Sequence, residues 1–315
     1  MNNVINKLIK MLKPEVLARI KSLIERKAMF FVNHSGGKDS QLMAILVRSL
    51  VPTGQIVYVH ADLGDVEWPG TQDHIREYLG GHELNVVHSI FKNGDDKDLI
   101  SMFVANMNFP SKGQRFCTSD GKRGPIQKFI KGTGHKLIVN CMGLRGGESD
   151  DREMGLDKDH FEKTGEALTF LLDEKNSIAG REWYDWLPIF DVPTDSVIQM
   201  IGQAGEEVHW AYAAGMSRLS CSFCVFGNNG DLAIAAKRRT QLYARYVALE
   251  KFLGKTIKAP KKSKKLGEDV SLQAVTGVKA DPALVEKEVA QLAALRKSLV
   301  ARDLHRKARK EKAVA

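Results

Sequence analysis

The stretch Ala28-Met29-Phe30-Phe31-Val32-Asn33-His34-Ser35-Gly36-Gly37-Lys38-Asp39-Ser40-Gln41-Leu42-Met43-Ala44-Ile45-Leu46-Val47 decides how this chain is read. Residues 28–32 form an apolar run of strand length, and from Ser40 onward the chain is apolar at nearly every position with helix-forming residues. A Ser/Gly turn between a strand and a helix presents consecutive backbone N–H groups to an anion at the helix N-terminus. Adjacent Gly36 and Gly37 let the backbone approach a phosphate closely, and Ser35, Lys38 and Ser40 add side-chain donors. Only two glycines precede the lysine and they are neighbours, so the spacing is not that of the Gly-x-x-x-x-Gly-Lys-Ser/Thr loop.

Outward from this loop, strands and helices alternate. Strands are expected at 28–33, 55–60, 84–88 and 136–141, with helices at 40–50, 70–79, 96–106 and 123–131 between them. That order predicts an α/β fold, a Rossmann-like three-layer sandwich with a mostly parallel sheet and a ligand at the carboxyl ends of its strands. An amphipathic helix over 14–27 precedes it, giving an N-terminal helix (1–27), a nucleotide-binding catalytic domain (28–253) and a basic linker with a helical tail (254–315). Residues 150–182 are charged and weakly periodic, as an insertion or lid would be. Thr194 is a candidate helix cap, 231–253 reads as one helix, and 282–310 as a final basic helix with Leu284, Leu292, Leu295 and Leu299 in a stripe.

The 315 residues carry a net charge of +9, unevenly placed. Residues 251–315 hold 17 Lys/Arg against 7 Asp/Glu, whereas 1–250 hold 30 basic and 31 acidic residues. The tail is therefore a candidate contact for DNA or RNA, or a solvated helix packed by its leucines. No apolar run has membrane-spanning length, no secretory leader is legible at the N-terminus, and four cysteines make no disulfide framework. The expectation is a cytoplasmic protein.

Four further segments carry chemistry. Asp62 and Gly64 follow the second strand, where a carboxylate suits a ribose or base edge, or caps its own turn. Arg115-Phe116-Cys117-Thr118 comes with Lys122 close behind. The fourth strand runs into Gly143-Leu144-Arg145-Gly146-Gly147-Glu148-Ser149, with Arg152 after it, a set able to grip phosphate or sulfate. Finally, Arg218 precedes Cys221-Ser222-Phe223-Cys224, whose thiols can share a metal or each other. Cys141, inside an apolar strand, reads as a core residue.

Together these segments resemble the PAPS (phosphoadenosine phosphosulfate) reductase-like branch of the PP-loop ATP pyrophosphatases, the adenine nucleotide alpha-hydrolase superfamily. The loop is similar to its S-G-G-x-D-S motif. His60 to Thr71 is similar to D-T-G-x-x-F-P-E-T, with Leu63 and Gly70 departing from it. Arg115 to Thr118 resembles R-W-C-T, and 143–152 matches G-x-R-x-x-E-S-x-x-R at each fixed position. Pro188-Ile189-Phe190-Asp191 resembles P-I-x-D-W, with Val192 in place of Trp. The late Cys-x-x-Cys looks closest to phage and DNA-phosphorothioation members.

The resemblance implies ATP or PAPS bound with Mg²⁺ by Ser35, Gly36, Gly37, Lys38, Asp39, Ser40, Asp62, Gly64, Gly143, Arg145, Glu148, Ser149 and Arg152. Lys38, Asp39 and Arg145 would be catalytic, and Lys122 and Arg218 are further anion-binding candidates. Cys117, Cys221 and Cys224 would hold a [4Fe–4S] cluster. The implied reaction is cleavage or adenylation at the α-phosphate for sulfur transfer, with a sulfur-donor protein as partner. One departure matters. Thiol-dependent reductases of the family attack with a cysteine near the C-terminus, and none follows Cys224 here. A PAPS or adenylyl-sulfate reductase would therefore have to use Cys221 or Cys224, and a non-catalytic nucleotide- or nucleic-acid-binding accessory protein is the third reading.

Overall fold

The computed structural model describes residues 2–92, 94–111, 113–148, 169–178, 180–258 and 270–314. Ser149, Arg152, most of the expected lid (150–168) and the Lys-rich linker at 261–265 lie outside the described residues. The chain forms two compact units. The first comprises Met1–Ala61, Pro69–Val87 and Ile126–Trp210, and the second Asp62–Trp68, His88–Pro125 and Ala211–Ala315. These divisions do not coincide with boundaries at 27/28 and 253/254, because both terminal regions pack into a core rather than standing apart.

The first unit is built on a six-stranded sheet of β1 (Met29–Asn33), β2 (Ile56–Asp62), β3 (Leu84–His88), β4 (Leu137–Met142), β5 (Phe170–Leu172) and β6 (Glu182–Trp186). The order is β3-β2-β1-β4-β6-β5. β1 lies between β2 and β4, parallel to both, and β6 runs parallel to β4, while β5 is an antiparallel edge on β6. Successive residues of β1 serve opposite faces, as the pleat requires. Phe30 and Val32 join a core with Leu42, Ile45 and Leu46, whereas Phe31 joins Val59, Ile138 and Trp183 on the other side. The N-terminal helices Asn2–Met11 and Pro14–Glu25 bury Val4, Leu8, Val16, Ile20 and Leu23 in the first of these cores. The α/β fold with a mostly parallel sheet is as expected. β5 and β6 were not expected, and the N-terminal helical stretch is two helices.

The second unit is helical. Its core gathers Phe103, Phe223, Tyr243, Tyr246 and Leu249, with the Phe223 and Tyr246 rings 4.9 Å apart. The single helix expected over 231–253 is two, Asn229–Arg238 and Thr240–Leu253, separated at Arg239 (φ −121°, ψ 55°). The tail helix Pro282–Val314 buries Val285 and Leu292 and packs Leu284, Leu295 and Leu299 against this core. Arg245 pairs with Glu288 at 2.8 Å, and Arg296 donates to the carbonyls of Val104 and Ala105. The expected leucine stripe is thus a packed face of the unit. Among the described residues no helix is long and apolar enough to cross a membrane.

Candidate functional site

The first unit assembles the loop and the Gly143–Arg145 segment. β1 ends at Asn33, His34 to Gly37 turn, and the helix Lys38–Leu50 begins. Gly36 has φ +76°, a conformation open to glycine, and Gly37 is the extended N-cap. The first intrahelical bond is Gln41 N–H to Gly37 O (3.0 Å), so the N–H groups of Lys38, Asp39 and Ser40 lie ahead of it at the positive end of the helix dipole.

Two other N–H groups of the turn point inward. That of Ser35 donates to Ser40 Oγ (3.1 Å) and that of Gly36 to His34 Nδ1 (3.1 Å). Ser40 Oγ donates to Gly37 O (2.9 Å), so this hydroxyl braces the loop. The surface the loop offers an anion is its helix start, with the Lys38 ammonium beside it.

Lys38 Nζ lies 3.4 Å from Asp39 Oδ2, and Arg145 Nε donates to Asp39 Oδ1 at 2.6 Å. Arg145 is 2% exposed, and its Nη1 also donates to Thr194 Oγ1 at 2.6 Å. Thr194 therefore holds Arg145 instead of capping a helix, and the short turn Thr194–Ser196 makes no side-chain cap bond. Arg145 is engaged on both sides, which suits it to fixing the Asp39 carboxylate and neutralising it. Gly143 explains how the two segments meet. A Cβ there would lie 2.9 Å from Ser40 Cα and from Ser40 N, so only glycine admits the helix start at this distance.

Behind the loop stands a group of polar residues with no motif to announce them. Gln41 is 1% exposed and donates to Glu206 Oε2 (3.1 Å) and Glu207 O (2.9 Å), and the His74 ring packs on His209. Burial, helped by neighbouring positive charge, holds His34 down at about 3 and His209 at about 4. His34 follows a buried strand and sits two residues before a Gly N–H, which is the signal that could have found it.

Asp62, Gly64, Lys122, Arg218 and the three cysteines belong to the second unit. Asp62 Oδ1 accepts the Gly64 N–H (2.8 Å), and Gly64 has φ +79°, so the carboxylate closes its own turn. Arg218 is exposed. Glu148 ends the short turn Gly146–Glu148 in the first unit.

Cys117 lies in the short helix Phe116–Thr118, and Lys122 in the wide turn Ser119–Arg123 that follows. Burial pushes the Cys221 thiol up to about 12, the Lys122 ammonium opposes this, and Cys224, Glu67 and Cys117 add to it. Burial also raises Cys117. Cys117, Cys221, Cys224 and Lys122 thus share one neighbourhood. Among the described residues, however, no three His, Cys, Asp or Glu side chains are arranged to hold a metal ion. As arranged here, Cys117, Cys221 and Cys224 do not form the ligand set that the expected iron–sulfur cluster needs. Asp39, with both oxygens on cations, is likewise not arranged as a Mg²⁺ ligand.

The turn carrying the Cys-x-x-Cys is tied from outside. Ser222 N–H donates to Val66 O (2.8 Å), and Arg239 reaches the carbonyls of Asp65 and Glu67 and the Ser222 hydroxyl. Its base is closed by Asp231, which accepts from Ser217 N–H (2.8 Å) and Ser217 Oγ (2.6 Å). Cys141 is fully buried and its thiol raised well above the ordinary value, a core residue as expected. A cavity of about 690 Å³ in this unit, bordered by Phe109, Val247, Glu250, Lys255 and Gln273, contains none of the motif residues.

Compared with known families, residues 29–225 match the phosphoadenosine phosphosulfate reductase domain. The chain belongs to this family. No curated protein matches it. Among solved structures, the phosphoadenylyl-sulfate (PAPS) reductase of Candida auris, in its phosphate complex, is similar at a TM-score of 0.42 and 13% identity, covering 69% of this chain and 91% of that one. The FMN adenylyltransferase of Candida glabrata is similar at a TM-score of 0.41 and 11% identity, covering 70% of this chain and 68% of that one. The same enzyme with FAD and inorganic pyrophosphate gives 0.39 and 12%, covering 70% of each chain. Within the PAPS reductase domain family, the present chain places its Ser-Gly-Gly-Lys-Asp-Ser loop after the central strand of the sheet and ends in a 33-residue helix beyond the matched region.

Proposed function

We propose that this member of the PAPS reductase domain family binds ATP, as its magnesium complex, by the phosphate end and cleaves it between the α- and β-phosphates. The observation that carries the reading is the loop itself. A helix N-terminus on a Ser/Gly turn, a nearly buried lysine and a glycine-only contact at Gly143 stand together at the end of β1. The N–H groups of Gly37 to Ser40 and the Lys38 ammonium hold the β- and γ-phosphates, which leave as pyrophosphate. The acceptor's attacking atom forms a bond to the α-phosphorus as the bond from that phosphorus to the bridging oxygen breaks. Lys38 takes up the charge that builds on the departing oxygen. Arg145 and Thr194 keep Asp39 in place beside Lys38, so that the ammonium is positioned before the nucleotide arrives.

The adenylated acceptor is then open to attack by sulfur from a donor protein in the cytoplasm, with AMP as the leaving group. A nucleic acid is the acceptor that the basic surplus of residues 251–315 favours. Sulfonate reduction is the weaker reading. It needs a thiolate from Cys221 or Cys224, and burial pushes Cys221 toward the protonated form.

Incubation of anaerobically purified protein with ATP or PAPS, followed by chromatography of the products, tests the proposal. AMP-containing product and pyrophosphate from ATP are expected. ADP and phosphate, or turnover of PAPS alone with release of sulfite, would overturn it.

A further inference from the structure

We infer that His34 is a positioning residue of the phosphate loop, setting which backbone N–H groups face the anion. A backbone N–H can only donate, so the 3.1 Å contact from Gly36 N–H makes His34 Nδ1 an acceptor and puts the ring proton on Nε2. The residue is buried and its backbone is held on both sides. His34 is 3% exposed, its own N–H donates to Val59 O (2.8 Å), and its carbonyl accepts from His60 Nδ1 (2.9 Å). The same Nδ1 stands 3.5 Å from Ser40 Oγ, which takes the Ser35 N–H.

The two N–H groups at the front of the turn are thus both drawn inward, by side chains that touch each other. Gly36 is held at φ +76° as a result, and the anion-facing set begins at Gly37. Without the imidazole acceptor, the Gly36 amide is left to seek another partner, and the turn can rotate it outward across the place where the phosphate sits. His34 acts through Gly36.

This inference rests on the loop being the phosphate site, and the test separates the two. Amide hydrogen exchange at Gly36, read by NMR in the nucleotide-free protein, is compared for wild type, His34→Asn, His34→Leu and His34→Gln, alongside calorimetric titration with inorganic pyrophosphate. Asn places an oxygen near the position of Nδ1, Leu has no acceptor, and Gln carries its acceptor one bond too far. Protection of Gly36 should survive in His34→Asn and fall at least tenfold in His34→Leu and His34→Gln, with the amides of β1 and the helix Lys38–Leu50 unchanged.

Pyrophosphate affinity should follow, within threefold of wild type for Asn and roughly tenfold weaker for the other two. If His34→Leu does not fold, the contrast of Gln with Asn decides the matter. Equal protection of Gly36 in all variants, or failure of Asn to restore it, overturns the inference. Wild-type protein that binds neither pyrophosphate nor ATP overturns the phosphate-site reading, while the exchange data still decide the role of His34.

Discussion

The Ser-Gly-Gly-Lys-Asp-Ser loop and the cysteine turn are both short segments with recognisable spacing, yet they are held in opposite ways. The loop is closed by its own residues. Ser35, Gly36 and Ser40 satisfy one another and His34 within seven positions of sequence. The cysteine turn depends on residues far away in the chain, through Val66, Asp65 and Glu67 on one side and Arg239 on the other. A motif closed locally carries its geometry with its sequence. One closed at long range shows its residue types in the sequence but not its arrangement, and that is why the loop's local turn followed from its sequence and the metal site expected at the cysteines was not borne by their geometry.

The largest test of this contrast removes the tail. In a chain ending at Gly254, the core of the second unit loses Val285, Leu292 and Leu272, and the Glu250 carboxylate loses the N–H groups of Ile257 and Leu272. Burial of a large aliphatic side chain contributes about 1.5–3 kcal/mol, so a loss of several kcal/mol follows. Calorimetric melting should show an early transition or none. An unchanged melting profile would mean that the tail is only an arm.

Gly143→Ala comes next, because the added carbon meets backbone at 2.9 Å and backbone cannot turn aside as a side chain can. A cost of about 1–3 kcal/mol and a severe loss of ATP binding are expected, measured by denaturant titration and calorimetry. For Lys38→Ala, the loss of a charge-assisted contact should weaken ATP binding by about 1.5–3 kcal/mol while the melting temperature stays near wild type. Lowered binding with lowered stability would instead assign Lys38 to the fold.

Acid should act mainly on the first unit. His34 and His209 are held at about 3 and about 4, below the ordinary value near 6.5 that the unfolded chain shows. Between those values the unfolded chain binds more protons, so stability is whole above pH 6.5 and declines as the pH falls toward 3–4. Melting curves across that range check the sign, and His209→Phe should flatten the slope.

The smallest effect concerns the cysteine turn. Cys221, pushed up to about 12, should react with iodoacetamide at neutral pH far more slowly than a free thiol. Arg239→Met, which releases the turn, should speed that reaction as read by mass spectrometry.

The four strands with apolar runs, β1 to β4, fell within two residues of their expected bounds, since buried parallel strands announce themselves as hydrophobic stretches. β6 did not. Glu182-Trp183-Tyr184-Asp185-Trp186 mixes acids with aromatics, and it is stabilised as a strand by its pairing with β4, where Asp185 accepts from Asn140 (2.8 Å). The break at Arg239 was hidden for the same reason, because helical periodicity runs on through it and the guanidinium's acceptors lie at 65–67. Within the candidate site, Lys38, Asp39 and Arg145 were found as types. That Arg145 would be buried against Asp39 and Thr194 depends on how the segment after β4 meets the loop, which no local pattern states.

The contact at Gly143 makes two stretches of sequence a hundred residues apart a single heritable object. Neither can drift in shape without the other, since any side chain at 143 would have to be matched by a displaced helix start at Ser40. Whoever moves this loop into another scaffold must therefore move a bare strand end with it. A graft of residues 34–40 alone would carry the donors of the site but not the space in which they stand.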